Sequence, residues 1–173
     1  MALIVENGSI VEGANSYATL AQIRAYAADR GVTLSDDDTV LTPYAILATD
    51  YLESKSDLFV GKQVQTNQPL SWPRQGVIQT DNSYFPTNQI PPALVNAQCQ
   101  LVIEQVQNGV TLLPTIDRFH TGGFVTHEKL GPMETTFSER VGTTVEPIMP
   151  AVDSLLKSLM FIGGPWTLSS KRI

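Results

Sequence analysis

Apolar residues recur at helical spacing in four stretches of the chain. Over about 20–30, Leu20, Ile23 and Ala27 form a stripe. Thr19, with Gln22 three positions on, has the sequence form of a capping box, and Gly31 supplies a stop. The second stretch opens at Thr42-Pro43, a cap followed by a proline that a first helical turn tolerates, and runs on through Tyr44, Leu47, Ala48, Tyr51 and Leu52. Asp36-Asp37-Asp38 lies just before it, where negative charge favours a helix start, though a simple solvated turn ranks ahead of that reading. The third, over 92–108, sets Val95, Cys99, Val102 and Val106 on one face with Leu94 and Leu101 flanking, and Gly109 ends it. The fourth, over about 150–161, carries Val152, Leu155, Leu156 and Leu159 before Gly163-Gly164-Pro165 breaks it.

Between the third and fourth stretches the period drops to two. Residues 124–130 and 133–138 flank Gly131-Pro132, which predicts two short strands around a turn. A lone hairpin is marginal in water, so this one is expected to pack on the helices or pair with a neighbouring chain. Lys129, Leu130, Pro132 and Met133 are the residues it would offer. The segment 166–173 shows no periodicity.

The long connection over about 55–92 is rich in Gln, Asn and Pro and centres on Leu70-Ser71-Trp72-Pro73-Arg74-Gln75-Gly76. Structureless connections beyond roughly 12–15 residues are uncommon in compact domains and are usually functional or disordered. Trp72, Tyr84 and Phe85 are residues that disordered segments tend to lack. The segment therefore reads as a subunit-contact arm acting through Trp72, Arg74, Tyr84 and Phe85. For Trp72, packing within its own fold ranks first and a subunit interface close behind. Stacking on single-stranded bases, with Arg74 on phosphate, ranks third.

The elements together predict a mainly α chain: a four-helix bundle with a long extended arm, one β-hairpin and an extended C-terminal tail. Residues 1–165 form the single expected domain, and 166–173 a docking tail.

Composition narrows the function. Charged residues are only 16% of the chain, where about a quarter is usual, so polar but uncharged surface is plentiful and suits contact with partners. The net charge is −6, and the 11 Lys and Arg are scattered, with no basic run except Lys171-Arg172. Non-specific nucleic-acid affinity comes from cations neutralising phosphates, so a tight DNA binder is not expected. Cys99 is alone, which excludes an internal disulfide and suits a reducing cytoplasm. No charged leader with an apolar core opens the sequence, and no apolar run approaches the ~20 residues needed to span a bilayer, so neither secretion nor a membrane is expected.

Catalytic chemistry finds no foothold. His120 and His127 fit neither a zinc helix nor a finger, and Cys99 sits on an apolar helical face as a small hydrophobe. The three aspartates at 36–38 lack the alternation and closing Glu of a calcium loop. Gly122-Gly123 and Gly163-Gly164 lack the Lys of a phosphate loop. The expectation is no catalytic, cofactor or metal residue, hence no enzyme.

An ordered set of segments resembles a family of tailed-bacteriophage head–tail connector, or adaptor, proteins. It comprises Gly13-Ala14-Asn15-Ser16-Tyr17 leading into Thr19-Leu20-Ala21, Tyr26 through Arg30-Gly31, Ala48-Thr49-Asp50-Tyr51-Leu52-Glu53, and the run from Leu70 to Gly76. Ile90-Pro91, Asn96-Ala97-Gln98-Cys99 and Glu128-Lys129-Leu130-Gly131-Pro132 complete it. The resemblance implies a connector-type helical fold and a ring, commonly of twelve copies, under the portal protein at the capsid vertex. That ring would extend the DNA channel, let duplex DNA pass without specific binding, and offer a platform to the neck or tail completion protein. It places the protein in the virion neck after assembly in the host cytoplasm. Trp166, Leu168, Lys171, Arg172 and Ile173 are the expected portal-docking residues. Members of this family are often labelled as resembling DnaT, a primosomal single-stranded-DNA-binding protein, and that is the alternative function.

Overall fold

The computed structural model describes residues 2–79, 81–113 and 149–160, and the backbone of 124–129 and 134–138. Leu130, Pro132, Met133 and the whole segment 166–173 lie outside the described residues. The chain divides into two compact units, one of Met1–Val110 with Met149–Ile173 and one of Thr111–Ile148.

Helix α1 spans Leu20–Ala28 and starts at the capping box expected of it. The Thr19 hydroxyl accepts from the Gln22 N–H at 3.1 Å, and the Gln22 carbonyl oxygen accepts from the Thr19 N–H at 2.8 Å. Helix α2 spans Asp38–Glu53, a full turn earlier than the sequence suggests. The three aspartates are exposed, as expected of a solvated turn, but they also start the helix: the Asp37 carboxylate accepts from the Thr39 N–H at 2.8 Å and caps it. Hydrogen bonds from Thr39 hold the Asp37 carboxyl below its ordinary range. Helix α3 spans Pro92–Asn108, the predicted bounds, and ends at Gly109 with φ +60°, a left-handed stop that a glycine adopts without strain. Helix α4, Pro150–Leu156, is shorter than the predicted 150–161. Beyond Leu156 the backbone is used elsewhere: the Leu159 carbonyl accepts from the Val60 N–H at 3.0 Å, and Met160 pairs with Phe59.

Helix α3 is the centre of the first unit and packs against α1, α2 and α4. Its buried face is Leu94, Ala97, Gln98, Cys99, Leu101, Val102, Ile103 and Gln105, whereas Val106 of the expected stripe is exposed.

The whole is a small mixed α/β fold rather than a four-helix bundle. Two of its helices have only 9 and 7 residues against 16 and 17 for the others, about 10–14 Å at 1.5 Å per residue. They are too short to line a bundle along its length. The extended arm is also overturned, because the 55–92 segment folds onto the helices and gives Phe59, Leu70, Trp72 and Val77 to the core. Within it a short antiparallel ladder joins β1 (Lys62–Gln63) to β2 (Arg74–Gln75). Gly61 makes this closure possible, since a Cβ there would stand 2.5 Å from the Gln75 carbonyl oxygen.

In the second unit β3 (Phe124–Lys129) pairs antiparallel with β4 (Glu134–Ser138), so a two-stranded sheet sits where the sequence alternates. Lys129 pairs with Glu134, and the register shifts between Val125 and His127, which marks a bulge.

Candidate interaction surface

The residues first suspected of meeting a partner divide sharply. Trp72 is wholly buried, with Phe59 edge-on at 6.0 Å and Phe85 edge-on at 6.2 Å between ring centroids. Its peptide bond to Pro73 is cis. Arg74 is buried too, and its guanidinium is used up by backbone carbonyls: Val60 at 2.8 Å, Gly61 at 2.9 Å, Phe59 at 3.2 Å and Ser71 at 3.4 Å. Four acceptors around one planar cation stitch the 59–61 turn to the strand that carries Arg74. Neither side chain is free to meet a base or a phosphate.

The segment is anchored to the helices by polar groups the hydrophobic pattern cannot show. The Glu53 carboxylate, at the end of α2, accepts from the Ser71 N–H at 2.9 Å, the Ser71 hydroxyl at 2.6 Å and the Tyr17 hydroxyl at 2.5 Å. The Tyr17 oxygen in turn accepts from the Trp72 N–H at 3.2 Å. Gln98, fully buried on α3, accepts from the Tyr17 N–H at 2.9 Å and donates to the Ser16 hydroxyl at 2.7 Å and the Ala45 carbonyl at 2.9 Å. One amide so ties the N-terminal segment, α2 and α3 together. Glu6, also buried, accepts from the N–H groups of Gly8, Ile10 and Val11 at 2.8, 3.0 and 2.8 Å and holds the loop after it closed. Gly8 seats that loop on the 88–89 backbone, where a Cβ would meet the Asn88 carbonyl oxygen at 2.1 Å.

These buried groups give the fold an alkaline limit. Burial pushes the Cys99 thiol from its ordinary 9.0 up to about 12. Burial first, and then the Glu53 charge, raise the Tyr17 phenol well above 10.0. As pH rises through 9 and 10 the unfolded chain gives up these protons while the folded chain keeps them, so the folded state loses stability. From Cys99 alone the loss between pH 8 and pH 10 is expected to be about 1.4 kcal/mol. Urea unfolding at the two pH values checks it, and Cys99→Ala should flatten that part of the profile.

Two apolar features stand out on the outside of the first unit among the described residues. A small hairpin rises over 77–85, closed by Phe85 N–H to the Val77 carbonyl and Gln79 N–H to the Ser83 carbonyl, each at 2.8 Å. The Asp81 carboxylate accepts from the Ser83 N–H at 2.9 Å at its turn, and Asn82 adopts φ +63° there. Because side chains alternate along a strand, Phe85 turns inward to Trp72 while Tyr84 turns out. Tyr84 is 72% exposed, and Ile78, paired across from it, is 57% exposed.

The second feature is a groove of about 810 Å³ between the N-terminal segment and α2, floored by Leu3, Val5, Leu20, Pro43, Ile46 and Leu47. Leu47, expected on the buried stripe of its helix, is 46% exposed, and Val40 one stripe-repeat earlier is 48% exposed. Residues 2–23 and 31–54, which build the groove, contain no Lys or Arg. Asp38 lies on its edge with Asp37 beside it, and Asp50 follows Ile46 by one helical turn. Asp38 is paired with Arg24 at 2.6 Å. The sequence signals for this surface were the unassigned run Leu3-Ile4-Val5 and the long cation-free stretches.

Among the described residues no group of three or more His, Cys, Asp or Glu side chains could hold a metal ion, and no helix is long and apolar enough to cross a membrane. A family described as "Putative DnaT-like ssDNA binding protein" matches the chain over residues 1–172. No curated protein and no solved structure matches it.

Proposed function

The chain belongs to this DnaT-like family, and on the form of its surface we propose that it works by protein assembly, as a non-enzymatic head–tail adaptor of a tailed-phage virion. Copies form a ring below the portal protein, extend its channel and receive the neck or tail completion protein. The observation that carries this reading is the apolar groove along α2, built from stretches without Lys or Arg and bordered by one cation, Arg24, that is paired with Asp38. An exposed apolar surface with acidic edges suits a protein partner and repels phosphate. The exposed pair Ile78 and Tyr84 offers a second contact of the same kind. Carboxylates turned to a channel would let the duplex pass without adhering. The resemblance of this ordered set of segments to connector proteins supports the reading from the sequence side.

The family's own description favours a second reading, binding of single-stranded DNA. That function needs an accessible basic and aromatic track, and Trp72 and Arg74 are both spent inside the fold. One pair of measurements separates the two. Mixed with portal rings, the purified chain is expected to sediment with them and to add a ring visible in negative stain. Titrated with fluorescent oligonucleotides at low salt, it is expected to show no saturable binding. Oligonucleotide affinity that falls steeply with added salt, together with no association with portal, would overturn the adaptor and establish the DNA-binding role.

A further inference from the structure

Among the described residues nothing fills the groove along α2, and the same sequence contains a segment suited to it. Resting on the ring-forming reading above for its source, we propose that the groove is the seat of residues 166–173 of a second copy of this chain. Complementarity of charge and polarity points there. The groove is built from stretches without Lys or Arg; Asp38 lines it, Asp37 precedes Asp38 in the chain, and Asp50 lies one helical turn beyond the lining residue Ile46. Arg24 is ion-paired with Asp38 and also attracts the Asp37 carboxylate, while Asp37 makes no direct ion pair among the described residues. Residues 161–173 contain no Asp or Glu, and set Trp166 and Leu168 ahead of Lys171-Arg172.

The dimensions agree. In an extended chain Trp166 and Leu168 share a side, and Trp166 to Arg172 covers roughly 20 Å. From Asp38 to Asp50, α2 measures about 18 Å. An aromatic seated over Leu47 therefore leaves the two cations within reach of the carboxylates at the start of the helix. The 13 residues after Met160 can extend up to about 45 Å, enough to reach an adjoining molecule. Each copy would then give its segment to one neighbour and receive another's, a head-to-tail contact of the kind that closes rings.

The test titrates a fluorescent peptide of residues 161–173 into the full chain and follows anisotropy. Saturable binding is expected, weakening as salt is raised, and weaker by about tenfold or more when the peptide carries Trp166→Ala or the chain carries Leu47→Asp. Leu47 is exposed, so Leu47→Asp should keep the melting temperature of the parent, which confirms that the fold is intact. Absence of saturable binding, or equal binding by Leu47→Asp, overturns the proposal. At a concentration where both sediment as monomers, much tighter peptide uptake by full chain carrying Trp166→Ala than by the parent would give the groove to the chain's own segment and also overturn it. Portal association with no peptide binding removes this proposal and leaves the adaptor, whereas peptide binding without portal association does the reverse.

Discussion

Replacing Trp72 with alanine is expected to cost about 3–5 kcal/mol of folding stability, a large share of the 5–15 kcal/mol that a domain usually holds. The size follows from its surroundings. Trp72 is wholly buried, contacts Phe59 and Phe85 edge-on, and joins the 55–92 segment to the helices. Truncation would remove the largest side chain of the core and leave two aromatic rings facing a void. The melting temperature should fall by roughly 10 °C or more. Trp72→Phe should lose less, because it retains most of the apolar contact and removes an indole N–H that has no partner among the described residues. A melting temperature unchanged by Trp72→Ala would assign this residue to contacts between molecules instead.

Gln98→Ala is expected to rank second, at about 3 kcal/mol or more. Its amide makes three hydrogen bonds to residues far away in sequence, on two other parts of the fold. Removing it leaves the buried Tyr17 N–H without its acceptor, a desolvation cost of about 1–3 kcal/mol. The cavity adds to this. Gln98→Met keeps the volume and drops only the polar contacts, so it should recover part of the loss. Denaturant unfolding of the two variants separates the contributions, and equal losses would show that volume plays no part.

What the sequence made legible was local. The capping box at Thr19 and Gln22 and the left-handed stop at Gly109 are decided within a few residues, and both stand where the pattern put them. The strand pairing over 124–138 followed from a change of period. What escaped was decided across the chain. Asp37 could cap α2 only if the helix began before Pro43, and a rule that favours proline in the first turn pointed elsewhere. The 55–92 segment has no periodicity because polar side chains hold it in place: Glu53, Gln68 and Arg74 each satisfy several groups of an irregular backbone. Glu6 and Gln98 occupy core positions that any reading of apolar stripes passes over. Of the candidate surface, Tyr84 was read from the sequence only as one residue of a contact arm, with nothing to separate it from the buried Trp72. The groove was not, because it needs the N-terminal segment laid beside α2.

The central place of α3 also has a consequence for how the polypeptide is made. Helices α1 and α2 turn their apolar faces to α3, which lies some forty residues downstream of α2. At ~5–20 residues per second of synthesis, these faces wait several seconds for their partner. The nascent first half is thus the moment when this polypeptide depends most on cellular helpers that shield unfinished chains.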